Sequence, residues 1–174
     1  MIRYLIYLIL DMLMEVLAVL LAPILPLFAS QDGWLPKWLW WFQTPDNPLS
    51  GDAGWQQKHP NDTYWDRVQW LWRNRAYGFK WSVLAATVVP GAITYQGDPT
   101  IKNRENAKAG WLDVQMQPYW QCKRVWRIGQ TTYCLMPNFG WLLDPYIANP
   151  DLWKTQPKAL YMFSPRITRF YPPT

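Results

Sequence analysis

Histidine and cysteine are nearly missing: His59, Cys122 and Cys134 are the only three in 174 residues. Zinc, haem and iron–sulfur sites draw on about four such ligands, so no metal and no other cofactor is expected. A Ser–His–Asp or Cys–His arrangement would have to run through His59. That residue stands between Lys58 and Pro60 with no nucleophile elbow nearby, and it reads as an exposed loop histidine. A Walker A sequence and a dinucleotide-binding glycine pattern are also absent. Charge is sparse, with 17 basic against 12 acidic side chains and a net charge of +5. Such an excess suits anionic lipid, nucleic acid or an acidic protein without choosing among them. What the chain has in abundance is apolar and aromatic surface. Half of it is hydrophobic and fourteen residues are tryptophan, which excludes overall disorder.

From Tyr4 to Ala29 the sequence is apolar apart from Asp11 and Glu15, a run long enough to cross a bilayer as a helix. The two acids and the bulky Phe28-Ala29-Ser30 argue against a cleaved secretory signal, so residues 1–30 read as an uncleaved anchor helix. Each acid costs about 2.5–3.5 kcal/mol if it faces lipid at the centre of a span. Their placement offers a remedy. Tyr4, Tyr7, Asp11, Glu15, Ala18 and Ala22 recur at three- and four-residue steps and share one helix face. That stripe suits helix–helix contact, either in a membrane bundle or along a large protein interface. Pro23 and Pro26 predict a kink or an end before Ser30.

Trp34, Trp38, Trp40 and Trp41 follow directly. They fit a belt at the headgroup level, where an apolar ring with a polar N–H is at home, or the aromatic core of the next domain. Residues 44–54 are dense in turn formers. Asp46, Asn47, Ser50 and Asp52 offer hard oxygens there, but without EF-hand spacing, and turn capping is the expectation. A helix is predicted over 64–73, capped by Asn61 or Asp62, with Trp65, Val68 and Trp72 on one face and Trp70 and Leu71 at its borders.

Two stretches resemble a family of small proteins encoded by tailed bacteriophages. They are Trp41-Phe42-Gln43-Thr44-Pro45-Asp46, followed by the Gly51-Asp52 turn, and Trp72-Arg73-Asn74-Arg75-Ala76-Tyr77-Gly78-Phe79. Members share an apolar amino-terminal segment, a WF-x-TPD motif and a later W-x-RN-x-x-YGF motif. Where they often carry proline after RN, this chain has Arg75. The resemblance covers residues 1–85 and, more loosely, Asn138-Phe139-Gly140-Trp141. It implies a phage origin and brings no catalytic residue with it.

Beyond Ala92 short β-rich runs take over: a strand at Ile93-Thr94-Tyr95, a turn at 96–99, a polar loop from Lys102 to Ala109, and strands over 117–127 and 130–136. A tight turn at Ile128-Gly129 would set Cys122 and Cys134 nearly opposite each other, which leaves a disulfide or two free thiols open. Lys123, Arg124, Trp126 and Arg127 form a basic aromatic cluster of the kind that binds single strands, yet no RNA-binding consensus accompanies it, and nucleic acid is not an expected partner. A last strand starts at Ala159 and leads into a proline-rich tail. The expectation is an α+β chain: an N-terminal hydrophobic helix, then a single small domain over 31–174 with a tryptophan-rich helical middle and a small antiparallel sheet. The work expected of it is anchoring and assembly without catalysis. Expected partners are copies of itself, other phage proteins and a lipid membrane, at the host envelope or in the virion. Paired aspartates among Asp46, Asp52, Asp62 and Asp66, serving a cell-wall glycan hydrolase, are the catalytic alternative.

Overall fold

Pro23 and Pro26 set the first boundary. The computed structural model describes residues 2–101, 108–130 and 132–169. In it, helix α1 runs over Ile2–Leu21 and gives way to a 3-10 turn at Leu25–Phe28, with Pro26 inside the turn where its missing N–H costs no helical bond. A second 3-10 stretch, Lys37–Phe42, points Leu39 and Phe42 inward and Trp38, Trp40 and Trp41 outward. Helix α2, Ala53–Lys58, is capped by Asp52, whose carboxylate accepts from the Trp55 N–H at 2.8 Å.

Helix α3 spans Tyr64–Arg73, the range that the sequence predicts, but its cap is Thr63. Thr63 and Asp66 form a reciprocal capping box. Asp62 turns left-handed at φ 42° and pairs with Arg67 at 2.6 Å instead, so the cap falls one residue beyond the expected Asp62 and two beyond Asn61. The buried face also differs from the expected one. Val68, Trp70 and Leu71 are buried, while Trp65 is exposed and packs edge-on against Trp72. A one-turn helix α4, Tyr77–Phe79, continues into a π-helical turn, Lys80–Leu84.

The chain divides into two compact units between Leu84 and Ala85, so residues 31–84 group with α1. In the second unit, β1 (Ala86–Thr87) pairs with β6 (Lys158–Ala159). A five-stranded antiparallel sheet has the order β2 (Thr94–Gly97), β3 (Gly110–Met116), β4 (Tyr119–Arg127), β5 (Tyr133–Trp141) and β7 (Tyr161–Arg169). Helix α5, Pro145–Ala148, follows β5. Strand β3 falls where no strand was expected, and the predicted loop over 102–109 and the tail from Tyr171 lie largely or wholly outside the described residues. One sheet face is closed by Leu112, Val114, Met116, Val125, Cys134 and Met136. The protein is therefore a mixed helix-and-sheet chain with an apolar N-terminal helix and a C-terminal antiparallel sheet.

The β4–β5 register overturns the predicted closeness of the two cysteines. Cys122 stands opposite Phe139 and Cys134 opposite Arg127, five positions apart along the ladder. At about 3.3 Å per residue that is roughly 16 Å, and an odd offset puts the two thiols on opposite faces. Both are free. The turn lies further along the chain than Ile128-Gly129, because β5 starts only at Tyr133.

Candidate functional site

The first unit is built around the one long apolar helix. At 1.5 Å per residue the 20 residues of α1 reach about 30 Å, enough to cross a bilayer, although a soluble core helix or a signal sequence meets the same test. Its stripe is buried at Tyr4, Asp11, Ala18 and Ala22 and half-buried at Tyr7 and Glu15. Within the first unit the chain's own side chains cover this face, with helix α3 packed along it. The Lys80 ammonium lies 2.5 Å from Glu15 Oε1 and 3.5 Å from Asp11 Oδ2. The Trp72 indole N–H donates to the Val19 carbonyl at 3.1 Å, and the Tyr64 hydroxyl donates to the Pro23 carbonyl. The two acids that look so costly in the sequence thus share one internal cation.

The rest of α1 is open. Leu5, Ile6, Ile9, Leu13, Val16 and Leu20 are all exposed, and the arc they line carries no charge between Asp11 and the end of the helix. Contiguous exposed apolar surface on this scale marks a protein or membrane contact. Exposed Ile24, Leu27 and Phe28 extend it, and Phe28 meets Trp38 edge-on at 5.7 Å. Trp34, Trp38, Trp40 and Trp41 all lie on the outside of the unit, so they do not form an aromatic core. Beside the arc is a groove of about 280 Å³, lined by Met12, Glu15, Val16, Val19, Leu20 and Arg75. Arg75 is exposed and has no ion-pair or hydrogen-bond partner among the described residues.

The two stretches quoted above for their resemblance meet in space. Gly78 packs so closely that an added Cβ would stand 2.1 Å from the Trp40 carbonyl and 2.5 Å from that of Gln43. Phe79 stacks edge-on against Trp41 at 5.5 Å, and burial together with the nearby Asp46 charge pushes the Tyr77 hydroxyl pKa up. Gln43 holds the turn from inside, accepting from the Leu35 N–H at 2.7 Å and donating to the Asn47 carbonyl. Gly78 and Phe79 on one side and Trp40, Trp41 and Gln43 on the other thus form a structural clasp. A model of one family matches residues 1–169. The chain belongs to DUF7338, a family of unknown function. No curated protein and no solved structure matches it.

In this DUF7338 chain the other candidates are engaged in holding the fold. His59 is half-buried, not an exposed loop residue. It caps α2, stacks on Trp55 at 3.9 Å, and its Nδ1 lies 2.8 Å from Asp66 Oδ1. Hydrogen bonds from Thr63, joined by the His59 contact, hold the Asp66 carboxyl below its ordinary range. Asp52, Asp62 and Asp66 serve as cap, ion-pair partner and capping-box member. Among the described residues no three His, Cys, Asp or Glu side chains gather as a metal site. The basic cluster on β4 disperses as well. Lys123 is fully buried and bonds Asp144 at 2.7 Å and the Ile101 carbonyl at 2.8 Å. Arg124 makes a two-pronged pair with Asp113 at 2.6 and 2.8 Å. Strand alternation sends Lys123 into the core and Arg124 to the other face, a split that the linear sequence conceals.

A second open surface lies on the outer face of the sheet. Trp126, Leu135 and Ile167 stand in one cross-strand row, and Phe139 and Phe163 stack at 5.2 Å in another. Antiparallel sheets with one solvated face usually present polar groups there, so this apolar face is a further candidate contact.

Proposed function

We propose that this chain is a phage-encoded, non-enzymatic protein that works by anchoring at the host envelope and by assembly with other proteins. The observation that carries the reading is the division of labour on α1: its acids are paired to Lys80 inside the unit, while its aliphatic arc is left open. A helix that only filled a core would cover that arc. The resemblance of the 41–46 and 72–79 stretches to small proteins of tailed phages supplies the origin. Carbonate-washed membranes from cells expressing the chain alone, compared with purified particles, test this reading. Retention in the membranes supports it, and loss to the wash overturns the anchor.

The apolar outer face of the sheet favours a second reading, a virion or ejection component whose α1 packs against other subunits. Stoichiometric recovery in particles with little in the washed membranes would select it.

A further inference from the structure

We infer that α1 lies along the surface of an anionic membrane, with its open arc at the boundary between headgroups and acyl chains and Arg75 on a lipid phosphate. This rests on the anchor reading and states how the anchor sits. Position along the helix decides it. The first unit covers the stripe from buried Tyr4 onward, and from Asp11, at the middle of α1, its polar contacts continue past the helix end: Lys80 at Asp11 and Glu15, Trp72 at Val19, Tyr64 at Pro23. In an upright span those contacts would fill one whole leaflet. Tyr64 and Trp72 belong to α3, which carries Asp66, Arg67 and Arg73 within ten residues, and the Asp62–Arg67 pair sits beside its start. Such groups have no place among acyl chains, and α3 cannot be withdrawn while it holds α1. Laid flat, the helix satisfies both sides. The covered side keeps its charges toward water and the arc enters lipid, the arrangement of an interfacial amphipathic helix.

Charge at the rim names the surface. Arg75 stands at the edge of the groove lined by Met12, Glu15, Val16, Val19 and Leu20; Glu15 is paired with Lys80, so Arg75 is the cation left beside acyl-sized apolar space, which suits a phospholipid phosphate. The exposed Trp38, Trp40 and Trp41, linked to the arc through Phe28, supply rings that favour the headgroup level.

The test uses the full chain with preformed vesicles of phosphatidylethanolamine and phosphatidylglycerol, three to one. Single reporters Ile2→Cys, Leu13→Cys and Ser30→Cys are placed on a Cys122→Ser background, with buried Cys134 left in place. The folding of each variant is checked by circular dichroism. A membrane-impermeant maleimide is added outside. The inference expects the protein to float with the vesicles, the two end positions to label fully from outside, and Leu13→Cys to label at least about tenfold more slowly. Arg75→Gln should weaken binding to these vesicles about fivefold and leave binding to uncharged phosphatidylcholine unchanged. If one end labels only after the vesicles are permeabilised, the helix spans and this inference falls while the anchor stands. If the protein does not float, and Leu13→Cys instead cross-links two copies, the anchor reading itself falls and a second copy is the occupant of the arc.

Discussion

Removing the Lys80 ammonium strands two carboxylates at once. Lys80→Met should destabilise the first unit by about 2–3 kcal/mol, below the full cost of breaking a buried pair because Lys80 and Glu15 keep partial contact with water. The triple variant Asp11→Leu, Glu15→Leu, Lys80→Met should recover most of that loss, because nothing charged is then left unpaired. Urea unfolding midpoints of the two variants check both expectations. Asp98 offers a second residue-level test. Hydrogen bonds from Lys108 and Thr100 lower its pKa to about 2, so the contact stabilises the fold above the ordinary carboxylate range and is lost as pH falls from about 4 through 2. Asp98→Asn should lower stability at neutral pH, flatten that acid limb of the stability curve and leave stability below about pH 2 nearly untouched. Sequence alone marks Asp11 and Glu15 as needing company and places them correctly on one face. It cannot say that the company is Lys80, because a partner 65 residues away leaves no periodic signal.

At the scale of elements, the clasp between the 3-10 stretch at 37–42 and α4 is an exacting contact. Gly78→Ala forces a methyl group into two backbone carbonyls that have nowhere to go, and should cost about 2–3 kcal/mol in thermal or urea unfolding. The bounds of α3 are legible because its polar and apolar residues follow the helical period. Its buried side is not, because with four large aromatics in ten residues several faces look apolar, and only tertiary packing selects Val68 and Leu71. The hairpin failed for a different reason. Several residues after Arg127 can form the turn, and each shift of register moves every side chain, Cys134 included, to the opposite face. Strand β3 shows only a three-position alternation, Leu112, Val114 and Met116, directly after a charged stretch, and it is easily absorbed into the loop.

Across the whole molecule the charge is uneven. Residues 1–84 carry seven basic and seven acidic side chains, whereas 85–174 carry ten and five. All of the net positive charge therefore belongs to the half that holds the sheet. Approach to an anionic membrane should then be salt-sensitive: raising sodium chloride from 0.05 to 0.5 M should lower the initial association rate with anionic vesicles about tenfold. Protein already bound through α1 should stay bound, since apolar burial is not screened. Stopped-flow binding and a salt wash of floated vesicles read the two effects separately. The mixed helix-and-sheet class was legible from the change of period near Ala92. The division at Leu84 was not, because no glycine- or proline-rich linker marks it.

The pairing of α1 with Lys80 also sets a schedule for synthesis. At about 5–20 residues per second, 65 residues take roughly 3–13 s to make. For that interval the newborn helix is an apolar segment with two acids and no cation to answer them. Any cellular machinery that meets it then sees a different object from the finished unit: a marginal insertion signal first, and a folded body with one greasy side afterwards.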